Sequence, residues 1–513
     1  MLFNSYIFLF VFLPITLAGF HLIGSKGHRR IAISWLVLMS LFFYGWWNPI
    51  YLGLILISIL TNYGIALALE EKPAKSILSA GIILNLALLA YFKYANFFID
   101  NLNLITDSNI TLERIILPLA ISFFTFQQIT FLIDAFRGET REHNFLQYCL
   151  FVTFFPQLIA GPIVHHKEML PQFAKDSLYR LRSSNLAIGS TIFFIGLFKK
   201  VVIADEIALH ATPVFLAAEE GVTLTFFEAW GGALAYTFQL YFDFCGYSEM
   251  ALGAARMFGV ILPINFYSPY RANNIIEFWR RWHITLSRFL RDYLYIPLGG
   301  SRRGTGRRYI NLTITMLLGG LWHGAAWTFV IWGGLHGIYL VINHGWNAIK
   351  SKLAINPSKA PSFIGSVAGR TITFTAVVIA WVIFRAESIS GATRMYEGML
   401  GLNGFSLPRL FTPFVTLIND FSPETHAVAQ GLGTFGSPYG AIKIFILIFI
   451  AGAAPNTIDL LKNHHPALGS EAFPADSKIE WKPNARWAIL IALITVFALS
   501  SLTKASEFLY FQF

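Results

Sequence analysis

The chain carries a long series of apolar segments, and this series constrains its fold more than any other feature. A helix needs about 20 mostly apolar residues to cross the hydrocarbon core of a bilayer. Segments close to that length recur from end to end, at residues 3–23, 31–47, 50–69, 76–92, 115–135, 145–164, 186–203, 228–254, 309–325, 326–345, 370–385, 441–455 and 485–502. Because several of them are short, we expect about 10–13 hydrophobic helices, some of them re-entrant or buried rather than spanning.

Composition supports a membrane protein and excludes the other classes. Of the 513 residues, 55% are apolar and 13% are charged, whereas soluble domains average about 25% charged residues. The apolar content is also too high for a disordered chain. The two cysteines, Cys149 and Cys245, lie in apolar runs and indicate neither a disulfide framework nor a metal site. We therefore predict an all-α polytopic membrane protein.

The connections between the apolar segments are too short to hold a separate soluble domain. We expect one membrane domain over residues 1–513, with N-terminal helices (1–264), an Arg-rich interfacial block with histidine-bearing helices (265–345) and C-terminal helices (346–513). The first apolar segment, Ile7–Phe20, lacks the basic flank of a cleavable signal peptide, so we expect it to be retained.

Positive charge is concentrated in two places. The loop Ser25–Arg30 is basic, which predicts a cytoplasmic loop and an N-terminus outside. Residues 271–308 hold nine arginines and two acids, and so supply +7 of the net charge of +10. Arginine mixed with aromatic residues here favours interfacial or re-entrant helices, with Trp279 and Trp282 at headgroup level. The block is either a topological anchor or a site for an anionic ligand, and we expect no nucleic-acid partner.

His323 lies within residues 309–349, which contain no Asp, Glu, Lys or Arg. If the segment is helical from Arg308, His323 lies about 22 Å along it, deep in the bilayer. An ionisable residue at that depth is a functional candidate. Burial disfavours the imidazolium, so we expect a neutral ring that can accept a proton as a general base. The alternative is a structural histidine hydrogen-bonded between helices.

Other polar residues in this region are weaker candidates. His336 lies 13 residues after His323, on a different face if the helix runs unbroken. His283 lies in the basic block, and we expect it to take part in the site without being the base. Asp243 and Glu249 occupy an apolar setting, where we expect each to pair with an arginine of the block rather than to react.

Several common motifs of catalysis are absent from the sequence. It contains no G-x-x-x-x-G-K-[ST] phosphate loop, no Asp-x-Asp pair, no His-x-x-x-x-Asp and neither Gly-Asp-Ser nor Gly-x-Ser-x-Gly. The adjacent pairs His165–His166 and His464–His465 have no matching partners at metal-ligand spacing, so we expect no metal site.

Long motifs across the chain resemble the membrane-bound O-acyltransferase superfamily, and within it the bacterial polysaccharide branch typified by the alginate O-acetyltransferase membrane subunit. The matching segments are Leu158–Pro162, Gln239–Ala251, Phe278–Ser287, Arg291–Gly300, Gly319–Gly324, Trp381–Ala386 and Phe508–Phe513. Cys245 and Glu249 depart mildly from this pattern, in which Ser and Asp are expected.

The resemblance implies a fold and a set of site residues. It implies helices around a funnel and tunnel, with His323 as the essential histidine and His283 as the second motif histidine. The residues that it suggests for binding the substrate or the acyl donor are Trp282, Arg291, Asp292, Arg302, Arg303, Trp322 and Gly324.

The resemblance also implies a reaction and a location. Acetyl-CoA is the expected cytoplasmic donor, with no permanently bound cofactor. Acetyl groups would cross a bacterial inner membrane to periplasmic acetyltransferase partners that modify an exopolysaccharide, with alginate expected first. The alternatives are the same chemistry on cellulose, peptidoglycan or another surface polymer, a transporter or flippase with His323 as a proton relay, and a non-catalytic scaffold.

Overall fold

A computed structural model describes residues 1–140, 144–159, 161–353, 362–405, 438–473 and 477–502. Within these ranges the secondary structure is helical, apart from one isolated bridge between Pro263 and Leu468. The all-α fold class predicted from the sequence is therefore confirmed. The terminal motif Phe508–Phe513 lies outside the described residues.

The α-helices follow one another along the whole described chain. They are α1 (Leu13–Ser25), α2 (Arg29–Gly45), α3 (Ile50–Glu71), α4 (Lys75–Leu89), α5 (Ala95–Thr106), α6 (Ile121–Phe136), α7 (Phe145–Thr153), α8 (Phe155–Leu158), α9 (His166–Phe173), α10 (Ser183–Phe198), α11 (Asp205–Glu219), α12 (Phe226–Met257), α13 (Ile275–Arg281), α14 (Ile284–Leu290), α15 (Thr305–His323), α16 (Trp327–Lys352), α17 (Phe363–Arg385), α18 (Ile389–Met399), α19 (Pro438–Gly452), α20 (Thr457–Leu460) and α21 (Ala485–Ser501).

Several helical segments have the length and composition of membrane spans. Five described segments qualify, at Phe8–Ser25, Ile50–Glu71, Lys75–Thr106, Ser183–Glu219 and Phe363–Arg385. Three shorter apolar helices accompany them, at Ile121–Phe136, Tyr439–Gly452 and Ala485–Ser501. The chain is therefore a multi-pass membrane protein, while the predicted funnel and tunnel stay a prediction.

The predicted segment 145–164 is not one helix. Phe154 adopts φ −49° and ψ 109°, so α7 ends there and the short α8 begins at the next residue. Pro156 lies in the first turn of α8, where its missing N–H is tolerated and where it disfavours helical geometry just before it. Hydropathy alone does not register this break.

The chain forms two compact units, each built from separate segments. One contains Met1–Phe198, Gly246–Asn265 and Thr457–Thr503, and the other contains Lys199–Cys245 and Phe266–Asn456. The candidate site residues predicted from the sequence all lie in the second unit. The boundaries of the predicted single domain stay a prediction.

In the second unit, α15 and α16 form an antiparallel hairpin whose helices cross very closely. A Cβ atom on Gly320 would collide with the carbonyl of Phe329, and one on Gly333 would collide with the carbonyl of Met316. Glycine at these positions therefore lets the two backbones touch, as is common in membrane helix pairs. The close crossing fixes which side chains of α15 and α16 face each other.

Candidate functional site

His323 is the last residue of α15, and glycine explains why the helix ends there. Gly324 adopts an extended conformation, with φ −161° and ψ 154°. A Cβ at Gly324 would collide with the ring of Phe329, so this turn accepts no larger residue without a shift. The sequence assigned Gly324 to substrate binding, and the structure gives it a packing role that leaves that prediction untested. His323 itself is buried.

Aromatic rings surround His323. Its ring centroid lies 4.9 Å from that of Trp322, 5.1 Å from that of Trp332 and 5.2 Å from that of Phe384. Trp332 comes from α16 and Phe384 from the end of α17, so three helices enclose the histidine. Such walls keep bulk water away from the imidazole, which strengthens electrostatic interactions inside the site.

His336 belongs to the same group of rings, which the sequence did not predict. Its ring centroid lies 4.8 Å from that of Trp332, and Trp332 also stacks on Trp381 with centroids 5.7 Å apart. The expected separation of His336 from His323 assumed an unbroken helix. The turn at residues 324–326 folds α16 back along α15, so both histidines contact the same tryptophan. We call His323, Trp332, His336, Trp381 and Phe384 the aromatic histidine cluster.

His283 lies on the other side of Trp322. Its ring centroid is 6.2 Å from that of Trp322 and 4.8 Å from that of Phe244. The side chain is buried, and burial lowers the pKa of His283 to about 3, so this ring is neutral at pH 7. The structure therefore brings His283, Trp322 and His323 together, as the sequence analysis expected of site residues.

Trp279 and Trp282 do not form a lipid-facing belt, because both side chains are buried against protein. Their predicted depth at headgroup level stays a prediction. Trp282 lies 5.7 Å from Phe278 and 5.0 Å from Trp381, ring to ring. Trp279 donates from Nε1 to Nδ1 of His336 over 3.2 Å. Aromatic residues near arginines are typical of a headgroup belt, but these two tryptophans pack in the protein core beside the site. A direct substrate contact by Trp282 stays a prediction.

The three arginines of the basic block that the resemblance suggests for donor binding differ in their surroundings. Arg291 is held by Asp292 through two hydrogen bonds of 2.7 and 3.0 Å, and this ion pair raises the pKa of Arg291. Arg302 and Arg303 are exposed on the glycine-rich turn before α15. The donor-binding roles of all four residues stay predictions.

Asp243 has a different partner from the one expected. It forms an ion pair with Lys200, a lysine outside the basic block, and Lys200 also lies 2.8 Å from Asp205. Lys200 and Asp243 are both buried. Lys200 lies between two carboxylates and offsets one of their two negative charges, and such a buried, paired group indicates a structural role.

The histidine pair His165–His166, for which the sequence showed no partner, has one in the fold. His165 Nε2 lies 2.7 Å from Oδ2 of Asp134, and His166 Nδ1 lies 3.4 Å from the same oxygen. Their ligand-type atoms lie within 4.8 Å of one another. We call Asp134, His165 and His166 the carboxylate histidine cluster. Asp134 lies 31 residues before His165, so only the folded chain reveals this partner of the His165–His166 pair.

A buried histidine enclosed by aromatic rings, in a multi-pass helical protein, is typical of an integral membrane enzyme. The sequence profile of the membrane-bound O-acyltransferase family matches residues 76–384. The chain therefore belongs to the membrane-bound O-acyltransferase family, and it is a membrane acyltransferase.

Three curated relatives illustrate the range of this family. The chain is 41% identical to the peptidoglycan O-acetyltransferase of Helicobacter pylori, over 100% of this chain and 98% of that protein. It is 38% identical to the probable alginate O-acetylase of Pseudomonas putida, over 100% of both chains. It is 29% identical to the teichoic acid D-alanyltransferase of Streptococcus thermophilus, over 52% of this chain and 68% of that protein.

Proposed function

We propose that this acyltransferase takes acetyl groups from acetyl-CoA on the cytoplasmic side of a bacterial inner membrane. It passes them across the membrane to periplasmic partner proteins, which O-acetylate a polysaccharide. The observation that carries the proposal is the position of His323, buried at the end of α15 inside an aromatic wall. End-to-end likeness to relatives named as O-acetylating enzymes supports the acetyl group as cargo.

The chemistry assigns His323 the role of general base. The accepting hydroxyl attacks the thioester carbonyl and gives its proton to the imidazole, while a new C–O bond forms. The tetrahedral intermediate then collapses, the C–S bond breaks, and the departing thiolate takes up the proton. General base catalysis of this kind contributes roughly 10²- to 10⁴-fold to the rate.

In this proposal, the exposed arginines bind the acetyl donor. Arg302 and Arg303 project from a turn with left-handed glycines at Gly299 (φ 110°), Gly300 (φ 54°) and Gly304 (φ 86°). Guanidinium groups on such a turn suit the phosphates of coenzyme A, since Arg binds phosphate through two parallel hydrogen bonds. The absence of a Gly-Asp-Ser motif supports a division of labour in which a partner chain carries the serine-based step.

Alginate is the polymer that we propose first, as the resemblance implied. Peptidoglycan is the second candidate, because the relative named for peptidoglycan is 41% identical over the whole chain. Both polymers offer sugar hydroxyls, so the chemistry at His323 is the same for each.

Mass spectrometry of both polymers, from cells with and without the chain, tests the proposal. Loss of acetyl from one polymer, restored by the wild type and by His28→Ala but not by His323→Ala, is the expected result. His28 is an exposed histidine and provides the matched control. Restoration by His323→Ala would instead indicate a scaffold. Proton-driven solute transport without any acetyl transfer would indicate a transporter.

A further inference from the structure

The hydrogen bond between Trp279 and His336 fixes the tautomer of His336. An indole N–H can only donate, so Nδ1 of His336 must be the acceptor over the 3.2 Å that separate them. A neutral imidazole carries one hydrogen, which therefore lies on Nε2. His336 is fully buried, and a neutral ring with Nε2–H is its state in this fold.

The Nε2–H group of His336 has no hydrogen-bond partner among the residues that the structure describes. The His336 ring as a whole is surrounded by other rings, with its centroid 4.8 Å from that of Trp332, 5.7 Å from that of Tyr339 and 6.2 Å from that of Phe278. A buried donor is nearly always paired in a folded protein, so each exception calls for an explanation, of which a role in binding a substrate is one.

A second donor of the same kind lies beside it. Nε1–H of Trp332 also finds no acceptor within the described part of the chain, although its side chain is fully buried. The Trp332 ring contacts both His336 and His323. Within the described residues, His336 and Trp332 therefore bring two N–H groups without an acceptor into the cluster that contains His323, beside a third on Trp381. The proposed reaction develops negative charge on an oxygen.

We propose that His336 Nε2–H donates a hydrogen bond to the carbonyl oxygen of the transferred acyl group, with Trp332 Nε1–H as a second donor. This inference rests on the proposed function. As the hydroxyl attacks, the carbonyl electron pair moves onto that oxygen, and the two donors stabilise the oxyanion until the C=O bond re-forms. His336 keeps its proton throughout, because its role is to bind the oxygen and not to transfer a proton.

The two amide substitutions of His336 separate its two nitrogens. His336→Asn places an amide near the position of Nδ1, so Trp279 keeps an acceptor while the deeper donor is lost. His336→Gln places an amide N–H near the position of Nε2 and so retains a donor for the substrate oxygen. Removal of one oxyanion donor typically lowers kcat by about 10²- to 10³-fold.

The assay follows labelled acetyl from acetyl-CoA into polysaccharide, in membrane vesicles that contain the full chain and its partners. We expect His336→Asn to lower kcat by about 10²-fold, with the KM for acetyl-CoA changed less than about threefold. We expect His336→Gln to keep at least about a tenth of the wild-type kcat. Equal rates for the two variants, whether both high or both lost, would overturn the proposal.

Trp332→Phe gives an independent measurement, because it keeps a ring and removes only the indole. We expect kcat to fall about tenfold or more, whereas Trp230→Phe, a half-buried tryptophan outside the cluster whose Nε1 donates to the carbonyl of Met399, should keep the wild-type kcat. Equal kcat for these two variants contradicts a donor role of Trp332. If the wild type transfers no acetyl, or if His323→Ala stays fully active, the proposed function fails, and that result is distinct from a failure at His336.

Discussion

The two histidine clusters use their nitrogens in opposite ways. In the carboxylate histidine cluster, His165 accepts from the backbone N–H of Lys167 at Nδ1 and reaches Asp134 with Nε2. His166 contacts Asp134 with Nδ1 and the carbonyl of Glu139 with Nε2. In the aromatic histidine cluster, His336 is bonded through one nitrogen, and its other nitrogen faces rings.

The difference separates a structural role from a chemical one. Histidines whose nitrogens all meet protein partners hold segments together, because each contact would be lost on unfolding. An unpaired nitrogen such as Nε2 of His336 inside an aromatic wall costs stability, and a substrate that pairs with it would explain why the residue is kept. The comparison therefore predicts that substitutions in the carboxylate cluster change stability alone, whereas those in the aromatic cluster change turnover.

The largest effect is expected for Asp134→Ala. Removal of one partner from a buried charged group costs about 3–5 kcal/mol, since His165 and His166 lose their acceptor. Thermal unfolding of the purified protein in detergent should therefore occur at a clearly lower temperature, while acetyl transfer per folded molecule stays near wild type. A fall in turnover per folded molecule of more than about tenfold would place this cluster in the reaction instead.

Gly320→Ala is expected to have the next largest effect, on both stability and turnover. The new methyl group would meet the Phe329 carbonyl, so α15 must move away from α16 at a cost of about 1–3 kcal/mol. The same movement displaces His323 from Trp332 and should lower acetyl transfer as well. Gly306→Ala, in the first turn of α15 and open to space, is the control and should leave both unchanged.

The sequence predicted the parts of this molecule that follow from local pattern. The apolar segments predicted α2, α3 and α15 to within a few residues of their observed bounds, and His323 stood out because no charged residue lies near it in the chain. The burial of aromatic residues and the contacts between distant segments depend on tertiary packing and were not predicted. Trp282 reads as interfacial beside arginines and is buried. Asp134 meets His165 only because the fold brings the end of α6 to the residue that precedes α9.

Local sequence pattern also failed to predict that His336 and His323 lie in the same cluster. Helical periodicity places residues correctly only while the helix continues, and the three-residue turn after His323 reverses the chain. The glycines that allow the close crossing were visible in the sequence. The partner backbone against which each one packs was not, since that depends on how far α16 folds back.

A smaller effect is expected from His283→Asn, which tests whether a buried neutral histidine makes the site sensitive to acid. The folded protein holds the pKa of His283 at about 3, against an ordinary value of 6.5. Below pH 6.5 the unfolded chain binds a proton that the folded chain does not, so stability falls as the pH falls. Asn removes this difference and tolerates the left-handed φ of 42° at this position.

The measurement is the thermal stability at pH 7 and pH 5 for the wild type, His283→Asn and the exposed control His28→Asn. The loss of stability between the two pH values should be about 1–2 kcal/mol smaller in His283→Asn than in the wild type. His28→Asn should lose as much as the wild type. An identical loss in all three proteins would contradict a neutral His283 in the fold.

We expect zinc to leave the stability of the carboxylate histidine cluster unchanged, which makes this the smallest of the predicted effects. Its three side chains are of the types that bind zinc, with ligand atoms within 4.8 Å of one another. However, a metal at His165 Nε2 needs that nitrogen's lone pair, which moves the ring proton to Nδ1. There the backbone N–H of Lys167 already donates over 3.3 Å, so two donors would face each other.

Zinc should therefore leave the melting temperature of the wild type unchanged, since only a ligand that binds the folded state raises it. At 100 times its dissociation constant a bound metal adds about 2.7 kcal/mol, which is readily measured. The test adds zinc chloride to the wild type and to Asp134→Asn, which keeps the shape and removes the charge. Zinc stabilisation of the wild type that is absent in Asp134→Asn would turn the structural cluster into a metal site and remove the contrast between the two clusters.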